Sequence, residues 1–225
     1  MDLSTDFHCH LLPGMDDGSP SLEVTAAMLD LLSGQGIRKV YATPHYHHHV
    51  KPIRAFLEKR DDVLASVGEL RSGVEIIPSA EVALEPRLSE VEDLPLLTMG
   101  DSPYILIELP FTARKEWIAN EIDNLIYGRH LIPVFAHIER FVPDYPKELT
   151  AKIFAADGAV FQFTVSAFRE FTSRRIFKNM VENGRHILLG SDAHGDKHRK
   201  PEFDILPPYL KKYFKKGEPP DFNLL

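Results

Sequence analysis

Short apolar runs recur along this chain, and each is followed by a longer stretch in which apolar residues return at helical spacing. The runs cover residues 6–9, 37–42, 74–79, 104–107, 132–136, 159–163 and 187–190 and are mostly β-branched or aromatic, which predicts strands. About seven strand and helix pairs follow one another, and that alternation predicts a parallel sheet with covering helices. A first helix is expected over residues 20–33, with Ser19 as N-cap, Pro20 as first helical residue, and Gly34 and Gly36 as its stop. Pro52 opens the next, in which Ile53, Phe56, Leu57, Val63, Leu64, Val67 and Leu70 form an apolar stripe and Lys59, Arg60, Asp61 and Asp62 fall outside it. Further helices are expected over residues 84–91, 115–127, 147–155 and 168–182, the last with Phe171, Phe177, Met180 and Val181 as core residues.

Histidine and acidic residues crowd the C-terminal ends of these runs. They appear as His8-Cys9-His10, Thr43-Pro44-His45, Ala80-Glu81, Glu108, His137-Ile138-Glu139-Arg140 and Ser191-Asp192-Ala193-His194, at six of the seven strand candidates. In parallel barrels the catalytic groups come from those ends, because the loops that follow the strands converge on one face. Residues i and i+2 of a strand share a face, so His8 with His10, and Asp192 with His194, can each grip one cation. Glu81 and Glu108 follow apolar runs, where a buried carboxylate is costly unless it pairs or binds metal, the alternative being a Glu at the strand mouth that reaches solvent. Asp17 lies in a glycine-containing loop within reach of such a centre, and Asp16 could take its place. His47, His48 and His49 read as a polar loop, with substrate contact as the alternative. Arg140 cannot ligate a cation, but its planar fork suits two phosphate oxygens. Arg199 either adds a second phosphate contact or is a solvated loop residue.

Composition narrows the partners. The chain has 225 residues, 44% of them hydrophobic, enough for one sizeable core, and its 13 Gly and 17 Pro mark no linker. One domain over residues 1–225 is expected. Against 33 acidic residues stand 26 basic ones, a formal charge of −7 that disfavours nucleic acid. No run reaches the ~18 apolar residues of a membrane span and no signal segment is recognisable, so a cytoplasmic location is expected. Cys9 is the single cysteine, which excludes an intrachain disulfide and a thiolate-rich zinc site. Imidazole and carboxylate donors without thiolate suit manganese, iron or zinc. The four C-terminal lysines Lys211, Lys212, Lys215 and Lys216 read as a solvated helix end.

The segments DFHCHLLPGMDDG, YATPH, PSAEV, LIEL, FAHIER and LLGSDAH resemble those of the polymerase and histidinol phosphatase (PHP) superfamily. Within it they are most similar to the bacterial manganese-dependent protein-tyrosine phosphatases that regulate capsule and exopolysaccharide synthesis. That resemblance implies a distorted (β/α)7 TIM-like barrel and three divalent cations, manganese first, with iron or zinc also compatible. One cation would take His8, His10, Glu81 and Asp192, a second Glu81, Glu108 and His137, and a third Asp17, His45 and His194. It implies that Arg140 is catalytic and holds substrate, and that Arg199 helps to hold it. The chain departs from the family pattern at Thr164, where relatives often carry Asn. The activity so implied is hydrolysis of phosphotyrosine in a protein, with a bacterial tyrosine kinase as partner and a metal-bridging hydroxide as nucleophile. The alternatives are a small-molecule phosphatase such as histidinol-phosphatase, and a non-catalytic metal-binding barrel.

Overall fold

All seven strand candidates become strands of the computed structural model, which describes residues 3–68, 70, 73–111 and 117–213. The strands are β1 (Thr5–Cys9), β2 (Lys39–Ala42), β3 (His45–Tyr46), β4 (Glu75–Pro78), β5 (Glu81–Ala83), β6 (Tyr104–Glu108), β7 (Ile132–Phe135), β8 (Val160–Thr164) and β9 (Ile187–Gly190). Every pairing is parallel, in a sheet ordered β1-β2-β4 and a second ordered β3-β5-β6-β7-β8-β9. The two sheets run into each other. Two residues, Thr43 and Pro44, separate β2 from β3, and Ser79 and Ala80 separate β4 from β5, so nine segments occupy seven strand positions. Backbone bonds cross these breaks from Thr43 N to the Cys9 carbonyl and from Glu81 N to that of Pro44. Between β1 and β9 the seam is one isolated bridge, Cys9 with Ala193, flanked by Asp192 N donating to the His8 carbonyl and His10 N to that of Ala193.

Strand alternation then sorts the side chains. Phe7, Tyr41, Leu106, Val134, Val160 and Leu188 form an apolar cluster inside the ring of strands, while Ile105, Ile107, Phe135, Phe161, Phe163, Ile187 and Leu189 pack into the larger outer core. The inner face carries forward to Glu108 from Leu106, to Gln162 and Thr164 from Val160, and to Glu81 from Ile77. Phe7 and His8 cannot both face inward on a regular strand. A register shift in β1, where Asp6 to Cys9 opposes only Val40 to Ala42, resolves this and places His8 and His10 on the inner side above Phe7.

The helices depart from expectation in instructive places. In α1 (Leu22–Gly34) the N-cap is Ser21 rather than Ser19, with Ser21 Oγ accepting from Val24 N at 3.4 Å. Ser19 is buried and bonds Thr25 instead, at 2.8 Å. Its buried positions Thr25, Met28, Leu29 and Leu32 keep helical spacing. In α2 (Ile53–Gly68), Ile53, Phe56 and Val67 are buried as expected, but so is Arg60, which reaches under the helix to donate to the Ser79 carbonyl at 3.3 Å. No α-helix forms over residues 84–91: Arg87 adopts φ 69°, and only 3-10 turns at Leu88–Glu90 and Leu94–Leu97 remain. The helix expected over 115–127 is α3 (Trp117–Asp123), widening into a π turn at Asn124–Gly128; Lys115 and Glu116 lie outside the described residues. α4 (Lys147–Ala155) has the expected bounds. α5 (Phe171–Glu182) buries Phe177 and Met180 but leaves Phe171 72% exposed, since six residues at ~100° each place it well away from Phe177 around the helix. A last helix, α6 (Leu206–Tyr213), carries an exposed Lys211, while Lys215 and Lys216 lie outside the described residues. Among the described residues, no helix is long and apolar enough to cross a membrane.

Candidate metal centre

The inner-facing residues at the C-terminal rim meet around Glu81. Its carboxylate is buried at the start of β5 with Oε2 at 3.1 Å from His8 Nε2, His10 Nε2 and His45 Nδ1, and Oε1 at 2.9 Å from His137 Nε2. His8 Nε2 and His10 Nε2 are themselves 3.0 Å apart. Glu108, less buried than Glu81, approaches His137 Nε2 at 3.5 Å. Asp192 Oδ1 stands 3.7 Å from His8, 3.6 Å from His10 and 3.6 Å from His194. Asp17 is exposed and bridges His45 Nε2 at 3.6 Å and His194 Nε2 at 3.5 Å. All nine expected donors therefore belong to one assembly. Overlapping trios within it, namely His8-His10-Glu81, His10-His45-His194 and His45-Glu81-Glu108, have donor atoms mutually within 4.8 Å.

The donor set fits cations better than it fits itself. Glu81 Oε2 and His194 Nε2 are buried and make no hydrogen bond of acceptable geometry, although imidazoles crowd round the carboxylate. Buried polar atoms left in that condition are costly unless something else binds them. The fields in the cluster are strong and opposed. Burial works against a charged His10, yet the hydrogen bond to Asp16 and the adjacent Glu81 carboxylate raise it to about 10. Burial and the nearby His10 push His194 down to about 4. Burial, then the Glu81 charge, raises Glu108 to about 7. Asp192 resists its own burial because His8 and Arg140 hold its carboxyl low.

Further polar residues aim these candidate donors. Asp16 is fully engaged: Oδ2 lies 2.7 Å from His10 Nδ1 and accepts from His45 N at 2.8 Å, while Oδ1 accepts from Gly18 N at 2.9 Å. Asp16 orients His10, and Asp17 faces His45 and His194. Gln162 Oε1 accepts from His137 N at 2.7 Å and lies 2.9 Å from His8 Nδ1, fixing two ligands from β8. Asp6 accepts from His8 N at 3.1 Å, Ser191 N at 2.8 Å and Ser191 Oγ at 2.6 Å, tying β1 to the loop after β9. Neither Gln162 nor Asp6 was singled out from sequence, although each is a polar residue inside an apolar strand, which is itself a signal. His137 and Asp192 adopt φ 29° and φ 51°, a left-handed backbone in which side chains other than glycine are uncommon. For His137 this turn is what brings the ring inward, since it has the outward parity of Phe135.

Both expected arginines reach the centre through Asp192. Arg140 pairs with Asp192 Oδ2, and Arg199 donates to both Asp192 oxygens at 2.9 and 2.8 Å. With Lys197, Lys200, Thr164 and Ser166 they line a cavity of about 160 Å³ beside Asp192. Four cationic side chains there outnumber the two carboxylates, Asp192 and Glu202, so an acidic protein carries a locally basic cleft. Cys9 is buried, and burial pushes its thiol well up, which suits packing rather than nucleophilic attack.

The family described as "Capsular polysaccharide synthesis, CpsB/CapC" matches residues 4–219. The chain belongs to the CpsB/CapC family. As a family member it is 29% identical over 210 residues to the tyrosine-protein phosphatase YwqE of Bacillus subtilis (strain 168), across 86% of this chain and 78% of that protein. It is 26% identical over 215 residues to the tyrosine-protein phosphatase CpsB of Streptococcus pneumoniae, across 93% and 87%. A crystal structure from work on YwqE and CpsB, described there as unique metal-dependent tyrosine phosphatases, superposes with a TM-score of 0.76 at 27% identity, covering 92% of this chain and 86% of that one. The phosphotriesterase homology protein of Escherichia coli shares the fold alone, at a TM-score of 0.52 and 12% identity over 97% of this chain and 94% of that one.

Proposed function

We propose that this CpsB/CapC chain is a metal-dependent phosphotyrosine-protein phosphatase, folded as one domain over residues 1–225, acting on a bacterial tyrosine kinase of polysaccharide synthesis or export in the cytoplasm. The observation that carries the reading is the meeting of nine imidazole and carboxylate donors in one assembly around Glu81, with two arginines held on one of those donors, Asp192. His8, His10, Glu81 and Asp192 would hold one divalent cation, Glu81, Glu108 and His137 a second, and Asp17, His45 and His194 a third. Manganese is the first choice, with iron or zinc compatible with the same donors. Bound cations supply the Lewis acidity that makes water nucleophilic near neutral pH and offsets charge on the phosphoryl oxygens.

The chain's own residues do the rest. Arg140 and Arg199 grip the phosphoryl oxygens, and Arg140 tightens as negative charge spreads over them. Lys197 and Lys200 draw the dianion to the cleft. Asp16, Gln162 and Asp6 keep His10, His8 and His137 aimed, so that the ligands need not reorganise during turnover. An aromatic leaving group is supported by Phe111, which is 73% exposed and lies against Phe141, itself stacked on His137. A phenol with a pKa near 10 leaves with less protonation than an aliphatic alcohol.

Phosphotyrosine peptides compared with histidinol phosphate under manganese test the reading, and a strong preference for histidinol phosphate overturns it. Elemental analysis of protein purified without added metal identifies the native cation.

A further inference from the structure

A second donor cluster stands outside the centre just described. After β3 the chain makes a tight turn, with Val50 N and Lys51 N both donating to the His47 carbonyl and Tyr46 Oη donating to that of Lys51. This turn presents His47, His48 and His49 to Glu85, which lies just beyond β5 on a backbone held by Leu84 N donating to the Glu108 carbonyl. His49 Nδ1 lies 2.5 Å and His47 Nδ1 3.3 Å from Glu85 Oε1, and His48 Nε2 lies 3.4 Å from Oε2. Donor atoms of His47, His49 and Glu85 fall within 4.8 Å of one another.

We propose that His47, His49 and Glu85 form a separate zinc site at the rim of the metal centre, clamping the histidine turn to the segment after β5. Several observations converge on it. Zinc bonds of about 2.0–2.2 Å to nitrogen and oxygen place tetrahedral ligands ~3.3–3.6 Å apart; the His47 distance to Glu85 already has that length, and the exposed His49 ring, at 2.5 Å, moves outward by about 1 Å to admit the ion. Glu85 Oε2 is buried and makes no hydrogen bond, so the carboxylate has binding capacity that its histidine neighbours do not use. Two imidazoles and one carboxylate favour a borderline cation over magnesium or calcium, which take oxygen ligands. The backbone on both sides is fixed by bonds that do not involve the three ligand side chains, so the site is pre-arranged. It shares no ligand with the main centre, although the His47 and His45 rings are only 6.3 Å apart. His48 stands ready as a fourth donor, and the partial exposure of His47 and His49 leaves a path for the ion to enter.

The test uses the full chain with its main centre loaded with manganese. The wild-type protein, Glu85→Gln and His47→Asn/His49→Asn are dialysed against the same low-micromolar zinc buffer, and bound metals are counted by mass spectrometry. Exchange at the main centre is common to all three proteins and cancels in the comparison. One more zinc per chain in the wild type than in either variant is the expected result. Equal zinc in all three overturns the proposal, as does loss in the double variant with full retention in Glu85→Gln, since the histidine turn alone would then be the binder. Circular dichroism checks that the variants fold. Independently, zinc-edge anomalous scattering from wild-type crystals should place an ion within bonding distance of His47, His49 and Glu85, and no peak there also overturns it.

Discussion

Asp192 bears more demands than any other side chain in the centre, facing His8, His10, His194, Arg140 and Arg199 at once. A phosphate bound beside it competes for the same two guanidinium groups, so the arginines matter most when the phosphoryl charge is largest. Arg140→Ala should lower kcat/KM for a phosphotyrosine peptide by about 10²–10³-fold, the usual effect of removing one donor to transition-state charge. Arg140→Lys should recover little of it, because a point charge cannot replace a fork; steady-state kinetics at matched metal content reads both. Gln162→Leu removes the acceptor shared by His137 N and His8 Nδ1. It should weaken metal binding about 10–100-fold in a chelator competition and cost ~1–3 kcal/mol in urea unfolding. At this scale most of the candidate donors stood out because they lie at the ends of apolar runs, whereas Asp17 and Arg199 lie in polar loops and stood out through their loop position and the family resemblance. The supporting Gln162 and Asp6 were hidden by the same rule, which directs attention past the ends of strands and away from their interiors. The sequence left Asp16 and Asp17 interchangeable, and both come close to the centre, Asp16 through His10, His45 N and Gly18 and Asp17 through His45 and His194.

Elements meet tightly around the centre, and two glycines mark how tightly. A Cβ on Gly190 would lie 2.6 Å from His8 Cβ and 3.0 Å from His8 N, and one on Gly18 would overlap the His10 carbonyl oxygen. Gly190→Ala should therefore destabilise by about 1–3 kcal/mol through overpacking and also lose bound metal, measured by denaturation and elemental analysis. The two phenylalanines of α5 give a cleaner contrast. Phe177→Ala should cost about 3–5 kcal/mol, whereas Phe171→Ser should stay within about 0.5 kcal/mol, both read from urea midpoints. Periodicity revealed the strands and the inward stripe of α2, because burial on one face enforces them, while α1 was placed by its capping and stop residues. It failed over residues 84–91, where Arg87 takes a left-handed conformation that an apolar count does not register. It failed for Phe171 because an aromatic at the first position of a helix need not lie on its buried stripe.

For the molecule as a whole, the cations and the fold should be linked thermodynamically. The centre draws on six of the seven strand positions, and cations that bind only the folded chain stabilise it by about 4 kcal/mol per site at 1,000 times the dissociation constant. Chelation should abolish turnover and lower the melting temperature, and adding back manganese should restore both; calorimetry with and without chelator checks this. The parallel, ring-like order was legible from the strand and helix alternation, but the division into two sheets was not, since it depends on two-residue breaks at Thr43-Pro44 and Ser79-Ala80 that no hydrophobic pattern announces. The seam between β1 and β9 has a consequence in time. Cys9 and Ala193, which close it, are 184 residues apart. At a synthesis rate of about 5–20 residues per second, roughly 10–40 seconds separate their emergence from the ribosome. Throughout that interval His8 and His10 are on a nascent chain without Asp192 or His194, so the nine donors can assemble only after translation has passed the last of them.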